Sequence, residues 1–429
     1  MVNAILLQAD ARALPLADNT VDLIITSPPY WKLRDYRDGD DSLAGQIGNE
    51  PTPRDYIAAL LACTAEWARV LKPTGSMFVN LGDKYANRTR GSWRGSSDGY
   101  TSRATSPDYV RPKDLPEKSL MLLPERYRIG AVDELGLIAR SVIVWDKPSA
   151  MPESVTDRVR RSHEDWVHFT KQPQYFAAVD EIREPHRMKP QRRPNGHRTR
   201  QKAGVFPAQT YSTSQRDEKG VDGHPLGALP GSVWEIATTP LKVPDHVAHA
   251  HCCDGAKRAG CTRGLGHYAA FPFEWPRQLI QGWSPSGICM ACDQPRTLIM
   301  DTSVEGAQPT RRMPGAGRDP FSRHGQPDAG STLRGRHAHR RVGYACACPT
   351  PDAPVRPAVV LDPFGGTGTT AMVASLLGRI GISVELSAGY NRIASWRITD
   401  PRERARALAL PTPPPEPEGH PTLFDGMTA

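Results

Sequence analysis

Residues 359–386 read VVLDPFGGTGTTAMVASLLGRIGISVEL and leave few folds open. An apolar run from Val359 to Leu361 meets a turn carrying Gly365, Gly366 and Gly368. A helix starts at Thr369 and runs through AMVASLL to Gly378, and a second apolar run ends near Glu385. Two strands joined through a helix lie parallel, and the crossover is right-handed. The unit is therefore βαβ, and the chain α/β. Glycines at the first turn let a ligand approach the backbone. An acid about 20 residues further on is placed to hold ribose hydroxyls. The spacing is GGTG rather than G-x-G-x-x-G, which favours an adenosine ligand without a pyrophosphate.

A second apolar run, VDLIIT (21–26), stops at SPPYW (27–31). Proline cannot donate to a sheet ladder, so the strand must end at Ser27. In parallel sheets ligands bind at the carboxyl ends of strands. This rigid, aromatic-tipped turn and the glycine turn can therefore face one crevice, although more than 330 residues separate them. Taken alone, SPPY would be no more than a strand-end turn with packed aromatics.

The rest of the chain fills in around these anchors. AILL (4–7), GSMFVNLGD (75–83) and GLIARSVIVWDKP (136–148) read as strands, and DWVHFTKQPQYFAA (165–178) as a hairpin turning at KQPQ. Residues 53–71 repeat apolar positions at helical spacing behind a Thr52–Asp55 capping box and Pro53. A further helix is expected near 121–136. Residues 86–118 lack apolar periodicity and read as a loop. Residues 183–202 hold eight Lys and Arg against one acid, Glu184, and read either as a basic linker or as a segment lying on phosphates. The net charge of +8 is a weak pointer to a polyanionic partner. No stretch approaches a membrane span, and the N-terminus lacks the basic start and long apolar core of a signal peptide, so a cytoplasmic location and no membrane partner are expected.

Both anchors resemble the S-adenosylmethionine-dependent amino-methyltransferases of DNA. That family carries [DNS]-P-P-[YFW] at its catalytic turn and D-P-F-x-G-x-G-T at its cofactor loop. Here these are Ser27, Pro28, Pro29 and Tyr30, and Asp362, Pro363, Phe364, Gly365, Gly366, Thr367, Gly368 and Thr369. The catalytic motif comes first, as in the circularly permuted beta class. The resemblance covers roughly residues 3–180 and 233–398. It implies a Rossmann-like methyltransferase sheet with helices on both faces, a permuted motif order and inserted loops. It places Asp10 at the cofactor's adenine amine, Glu385 at its ribose and Phe271, in HYAAFPFEWPRQLI, beside its methionine end.

The implied activity is methyl transfer from S-adenosylmethionine to the exocyclic amine of a flipped base in double-stranded DNA. Such an amine is a poor nucleophile because its lone pair is delocalised into the ring. Acceptors on its two hydrogens, the Ser27 hydroxyl and the Pro28 carbonyl, would free that lone pair, and Tyr30 would stack on the base. Methylation at cytosine C5 would need a thiolate, usually in a Pro-Cys pair, and the sequence has none. Ser27 favours cytosine N4; adenine N6 is the alternative, and a non-catalytic DNA-binding module is a remoter one. A cognate restriction nuclease and a homodimer are compatible partners.

Cys289-x-x-Cys292 and Cys346-x-Cys348 frame the insert at 286–352. Two close thiolate pairs can hold zinc tetrahedrally, and four protein ligands make such a site structural. Cys252, Cys253 and Cys261, with His249 or His251, offer material for a second. The expected organisation is a catalytic half (1–180), a DNA target-recognition region (181–243), a first insert with the cofactor-flanking helix (244–285), the Cys-framed insert (286–352), the S-adenosylmethionine-binding half (353–400) and a disordered tail (401–429).

Overall fold

The computed structural model describes residues 3–33, 37–38, 41–42, 45–86, 115–150, 152–153, 155–185, 224, 226–249, 270–308, 334–350 and 353–413. The chain divides into two compact units. The first comprises residues 1–177, 231–295 and 353–429, and the second residues 178–230 and 296–352.

The first unit is built on an eight-stranded sheet. Its strands are β1 (Ala4–Gln8), β2 (Val21–Thr26), β3 (Leu71–Leu81), β4 (Ile138–Asp146), β5 (His163–Thr170), β6 (Val233–Glu235), β7 (Val359–Asp362) and β8 (Ile380–Glu385). They lie in the order β1-β8-β7-β2-β3-β5-β4-β6. From β1 to β3 neighbours are parallel, while β5 runs antiparallel to both β3 and β4. The helices used below are α1 (Pro53–Val70), α2 (Leu123–Asp133), α3 (Glu274–Trp283), α4 (Thr369–Leu376), α5 (Ala388–Thr399) and α6 (Pro401–Ala407).

β2 is buried along its whole length, which explains the apolar run Leu23–Ile25. Ile24 packs with Leu60, Trp67 and other α1 residues on one face, and Leu23 and Ile25 pack with Trp275 and Leu279 of α3 on the other. α1 starts where the sequence places it. The Asp55 N–H donates to Thr52 Oγ1 at 3.1 Å, and the Thr52 hydroxyl donates back to the Asp55 carboxylate at 2.8 Å. Asp22, buried within β2, accepts from the Val359 N–H at 2.8 Å and pairs with Lys72 at 2.6 Å. One carboxylate thus joins three neighbouring strands.

The crossover β7-α4-β8 is the predicted parallel unit, and it sets the sheet's switch point. From β7 the chain crosses to one side, to β8; from β2 it crosses through α1 to the other, to β3. The register Val360↔Leu23 and Leu361↔Ile24 makes β7 and β2 leave the sheet at the same edge.

Two expectations are corrected. DWVHFTKQPQYFAA is not a hairpin: β5 ends at Thr170 and pairs with β3 and with the preceding β4, while the segment after the turn forms no strand. The alternating pattern marks one strand of a longer-range pair. Nor is the chain disordered from residue 401. Asp400 caps α6, accepting from the Arg402 and Glu403 N–H groups at 2.9 and 2.8 Å, and Glu403 is buried beside Arg397.

In the second unit, Thr297–Gln308 and Arg334–Ala345 form an antiparallel pair that begins with Thr297 opposite Ala345. Tyr344 donates to Glu181 at 2.7 Å, and Arg183 to Asp180 at 2.6 Å. Most of the basic run at 183–202, the loop at 87–114, His251, Cys252, Cys253 and Cys261 lie outside the described residues.

Candidate active site

The carboxyl ends of β2 and β7 open on a cavity of about 350 Å3 within the first unit. Ser27, Pro28, Pro29 and Tyr30 line it from one side. Pro363, Phe364, Gly365, Gly366 and Thr369 line it from the other, with Asp10, Phe271 and Glu385 also in the wall. This volume is at the lower end of the roughly 300–1,000 Å3 typical of small-molecule sites.

The cofactor-type loop is shaped by close approach. Gly366 and Gly368 are left-handed, at φ 51° and 74°. The Gly365 N–H donates to the Val384 carbonyl at 2.8 Å, drawing the loop onto β8. Glu385 accepts from the Gly366 N–H and the Ser387 N–H, both at 2.9 Å, so its carboxylate is fixed at the cavity wall. Asp362 and Gly368, also singled out in the sequence, do not line the cavity; they support the loop from beneath. Asp362 accepts from the Phe364 N–H at 3.1 Å and from Thr370 Oγ1 at 2.8 Å. Burial pushes its carboxyl up to about 6, although the Thr370 and Phe364 donors pull it back. Gly368 lies against α5, where a side-chain carbon would come within 2.8 Å of Ala394 Cβ.

Behind the loop stands a group the sequence reading missed. Arg397, buried in α5, donates to the Thr367 carbonyl at 3.1 Å, to Thr367 Oγ1 at 2.7 Å and to Thr369 Oγ1 at 2.8 Å. Glu403 of α6 neutralises it at 3.1 Å. The helix that replaces the expected start of the tail therefore supports the glycine loop.

Asp10 reaches the cavity with its carboxylate already engaged. Arg12 donates to it from its backbone at 2.8 Å and from its guanidinium at 2.5 to 3.1 Å. These bonds hold the Asp10 carboxyl below its usual range. Phe271 meets Trp166 edge-on, with ring centroids 5.6 Å apart.

The turn after β2 is clamped from several directions. Tyr56 donates to the Pro29 carbonyl at 2.8 Å, Trp31 Nε1 to the Glu50 carbonyl at 2.9 Å, and the Lys32 N–H to the Gly48 carbonyl at 2.7 Å. The register Thr26↔Val79 sets Asn80 beside Ser27. Asn80 Oδ1 lies 3.2 Å from Ser27 Oγ and 2.8 Å from the Tyr30 hydroxyl, and both can donate to it. Its Nδ2 donates to the Asp165 carbonyl at 3.1 Å, which fixes the amide's orientation. The register Trp145↔Glu164 brings Glu164 to the same wall, where it accepts from the Tyr30 hydroxyl at 2.7 Å and pairs with Lys147. Asn80, Lys147 and Glu164 were not singled out in the sequence. The available signal was a polar Asn80 within the apolar run Met77–Leu81.

The cysteine pairs fall in different units. In the first, Cys289 pairs in register with Val355, and its carbonyl accepts from the Asp293 N–H at 2.9 Å to close a tight turn over Cys292. In the second, the sulfurs of Cys346 and Cys348 are 3.3 Å apart, too far for a disulfide.

The glycine loop and the SPPY turn thus share one cavity at the sheet's switch point. The chain belongs to the DNA methylase family: the N6/N4 family profile matches residues 21–289 and 356–395. It is 41% identical over 170 residues to the type II methyltransferase M.XycI of Xanthomonas campestris pv. cyanopsidis, covering 40% of this chain and 54% of that protein. It is 39% identical over 164 residues to M.SmaI of Serratia marcescens, covering 38% and 54%. The chain thus spans about half the length of the curated relatives it matches. Among solved structures, the PvuII DNA methyltransferase (cytosine-N4-specific) aligns over 95% of both chains at 15% identity, with a TM-score of 0.48. Among the described residues, no helix is long and apolar enough to cross a membrane.

Proposed function

We propose that the protein is a site-specific DNA methyltransferase, transferring a methyl group from S-adenosylmethionine to the exocyclic amine of a flipped base, cytosine N4 in first place. The observation that carries this reading is the β7–β2 register, which sets the SPPY turn and the glycine loop on one cavity. The residues present fit the cofactor: two left-handed glycines open the loop, and the Glu385 carboxylate, held by two backbone donors at the cavity wall, is the acid that would meet ribose hydroxyls. The bound cofactor would supply an electrophilic methyl group on a sulfonium. Asp10 and Phe271 would complete its pocket.

On the substrate side, Ser27 Oγ and the Pro28 carbonyl would take the amine's two hydrogens, and Tyr30 would stack on the base. The two prolines keep these acceptors in place without reorganisation, which is how fixed dipoles lower a barrier. Ser27 in place of an acid or amide favours cytosine. The test is to incubate the protein with S-adenosylmethionine and plasmid DNA, digest, and weigh the nucleosides. N4-methylcytosine is expected. N6-methyladenine would overturn the choice of base, and no modified base on any DNA would overturn the enzyme.

We also propose that Cys289, Cys292, Cys346 and Cys348 hold one structural zinc ion. Cys289-x-x-Cys292 and Cys346-x-Cys348 supply two close pairs of thiols, and none of the four is joined in a disulfide. A thiolate set with no open position suits zinc in a structural role. Metal analysis should find one zinc per chain. Cys346→Ser should lose it and lower the melting temperature. A metal-free protein of unchanged stability would refute the site.

A further inference from the structure

The SPPY turn and the cofactor loop leave unexplained why an ion pair sits in the cavity wall. Glu164 and Lys147 are only 15% and 17% exposed at their side chains. A pair so far out of water seldom adds net stability, because desolvation offsets the attraction. Its surroundings show what it holds. One Glu164 oxygen accepts from the Tyr30 hydroxyl at 2.7 Å, and the other takes Lys147 Nζ. Lys147 Nζ is in turn seated 4.1 Å above the Trp145 ring. The Tyr30 ring rests on the backbone of Gly82, where a side-chain carbon would come within 2.7 Å of Cε2. Ring and hydroxyl are therefore fixed separately.

We propose that Glu164, braced by Lys147, is a positioning residue that sets the plane of Tyr30 before a base enters; the inference rests on the reading of Tyr30 as the stacking platform. The Tyr30 proton has two acceptors in reach, Asn80 Oδ1 and the Glu164 carboxylate, and the charged one is the stronger. Burial, and then the Glu164 charge, push the phenol well above its usual range, so Tyr30 remains a donor. Lys147 keeps the carboxylate from turning away. With ring and hydroxyl both held, the base meets a surface already in place and no ordering is required at stacking.

Methyl transfer from tritiated S-adenosylmethionine to plasmid DNA tests this on the full chain, with cofactor affinity followed by calorimetry. Tyr30→Phe and Glu164→Gln should each lower kcat about tenfold, at unchanged KM for S-adenosylmethionine. Both act through one hydrogen bond, so the double variant should be no slower than the slower single. Lys147→Met should fall to the level of Glu164→Gln, and Lys147→Arg should recover most of the rate. If Glu164→Gln does not fold, Lys147→Met combined with Tyr30→Phe makes the same comparison. Losses that multiply to about a hundredfold would overturn the coupling while leaving the enzyme reading intact. A wild-type protein that methylates no DNA would overturn both.

Discussion

Ser27→Ala should lower the methylation rate by about two to three orders of magnitude while leaving S-adenosylmethionine affinity within about twofold. A hydroxyl has one proton. The Asn80 amide, anchored through Nδ2 on the Asp165 carbonyl, turns Oδ1 toward Ser27 at 3.2 Å and receives that proton. In the proposed reaction the remaining lone pairs of Ser27 Oγ would then accept from the base amine. Alanine removes this acceptor and leaves the turn's clamps untouched, since Tyr56, Trp31 and Lys32 hold the turn through other atoms.

The same geometry supplies a control. Asn80→Asp still offers Ser27 an acceptor, whereas Asn80→Leu releases its proton. A site that works through Ser27's polarity should be faster with Asp than with Leu, even though burying a charge makes the Asp variant the less stable of the two. Single-turnover rates together with calorimetry read both effects. A Ser27→Ala variant keeping more than about a tenth of the wild-type rate would show that Oγ is not the acceptor.

The sequence was legible where chemistry is local. The crossover from Val359 to Glu385, the stop at Ser27 and the cap at Thr52 each depend on residues a few positions apart, and the structure forms all three. What was not legible depends on register between distant strands. Nothing near Asn80 says that it will meet Ser27; that follows from Thr26 facing Val79. Glu164 reaches Tyr30 across 134 residues because β5 turns antiparallel between β3 and β4. The supposed hairpin at 165–178 failed for the same reason, since the period of a strand does not name its partner. The start of the tail was misread because its composition is polar. Its seven-residue helix is held by the buried Glu403–Arg397 pair and by Ala407, which packs into the core.

Gly365→Ala should weaken S-adenosylmethionine binding at least about tenfold and cost roughly 1–3 kcal/mol of stability. A carbon added at Gly365 would come within 1.8 Å of Ser383 Oγ and 2.9 Å of Ser383 Cβ. The hydroxyl could turn aside, but Ser383 Cβ, and Cα at 3.2 Å, are fixed by the buried strand β8. The loop must lift instead. Lifting breaks the Gly365 bond to Val384 and takes the Gly366 N–H away from Glu385, so the cavity wall loses its shape and the Glu385 carboxylate loses a donor that holds it. Two further variants separate this from a general loss of stability. Gly378→Ala meets nothing within 4 Å but must hold φ at 78°, so it should cost roughly 1–2 kcal/mol with no change in cofactor affinity. Ser383→Gly in the Gly365→Ala background removes the two nearest atoms and should restore most of the binding. Calorimetry with S-adenosylmethionine alone is sufficient, because the ligand proposed for the loop is the cofactor and not DNA. Normal affinity in Gly365→Ala would mean that the loop's seat on β8 does not shape the cofactor site.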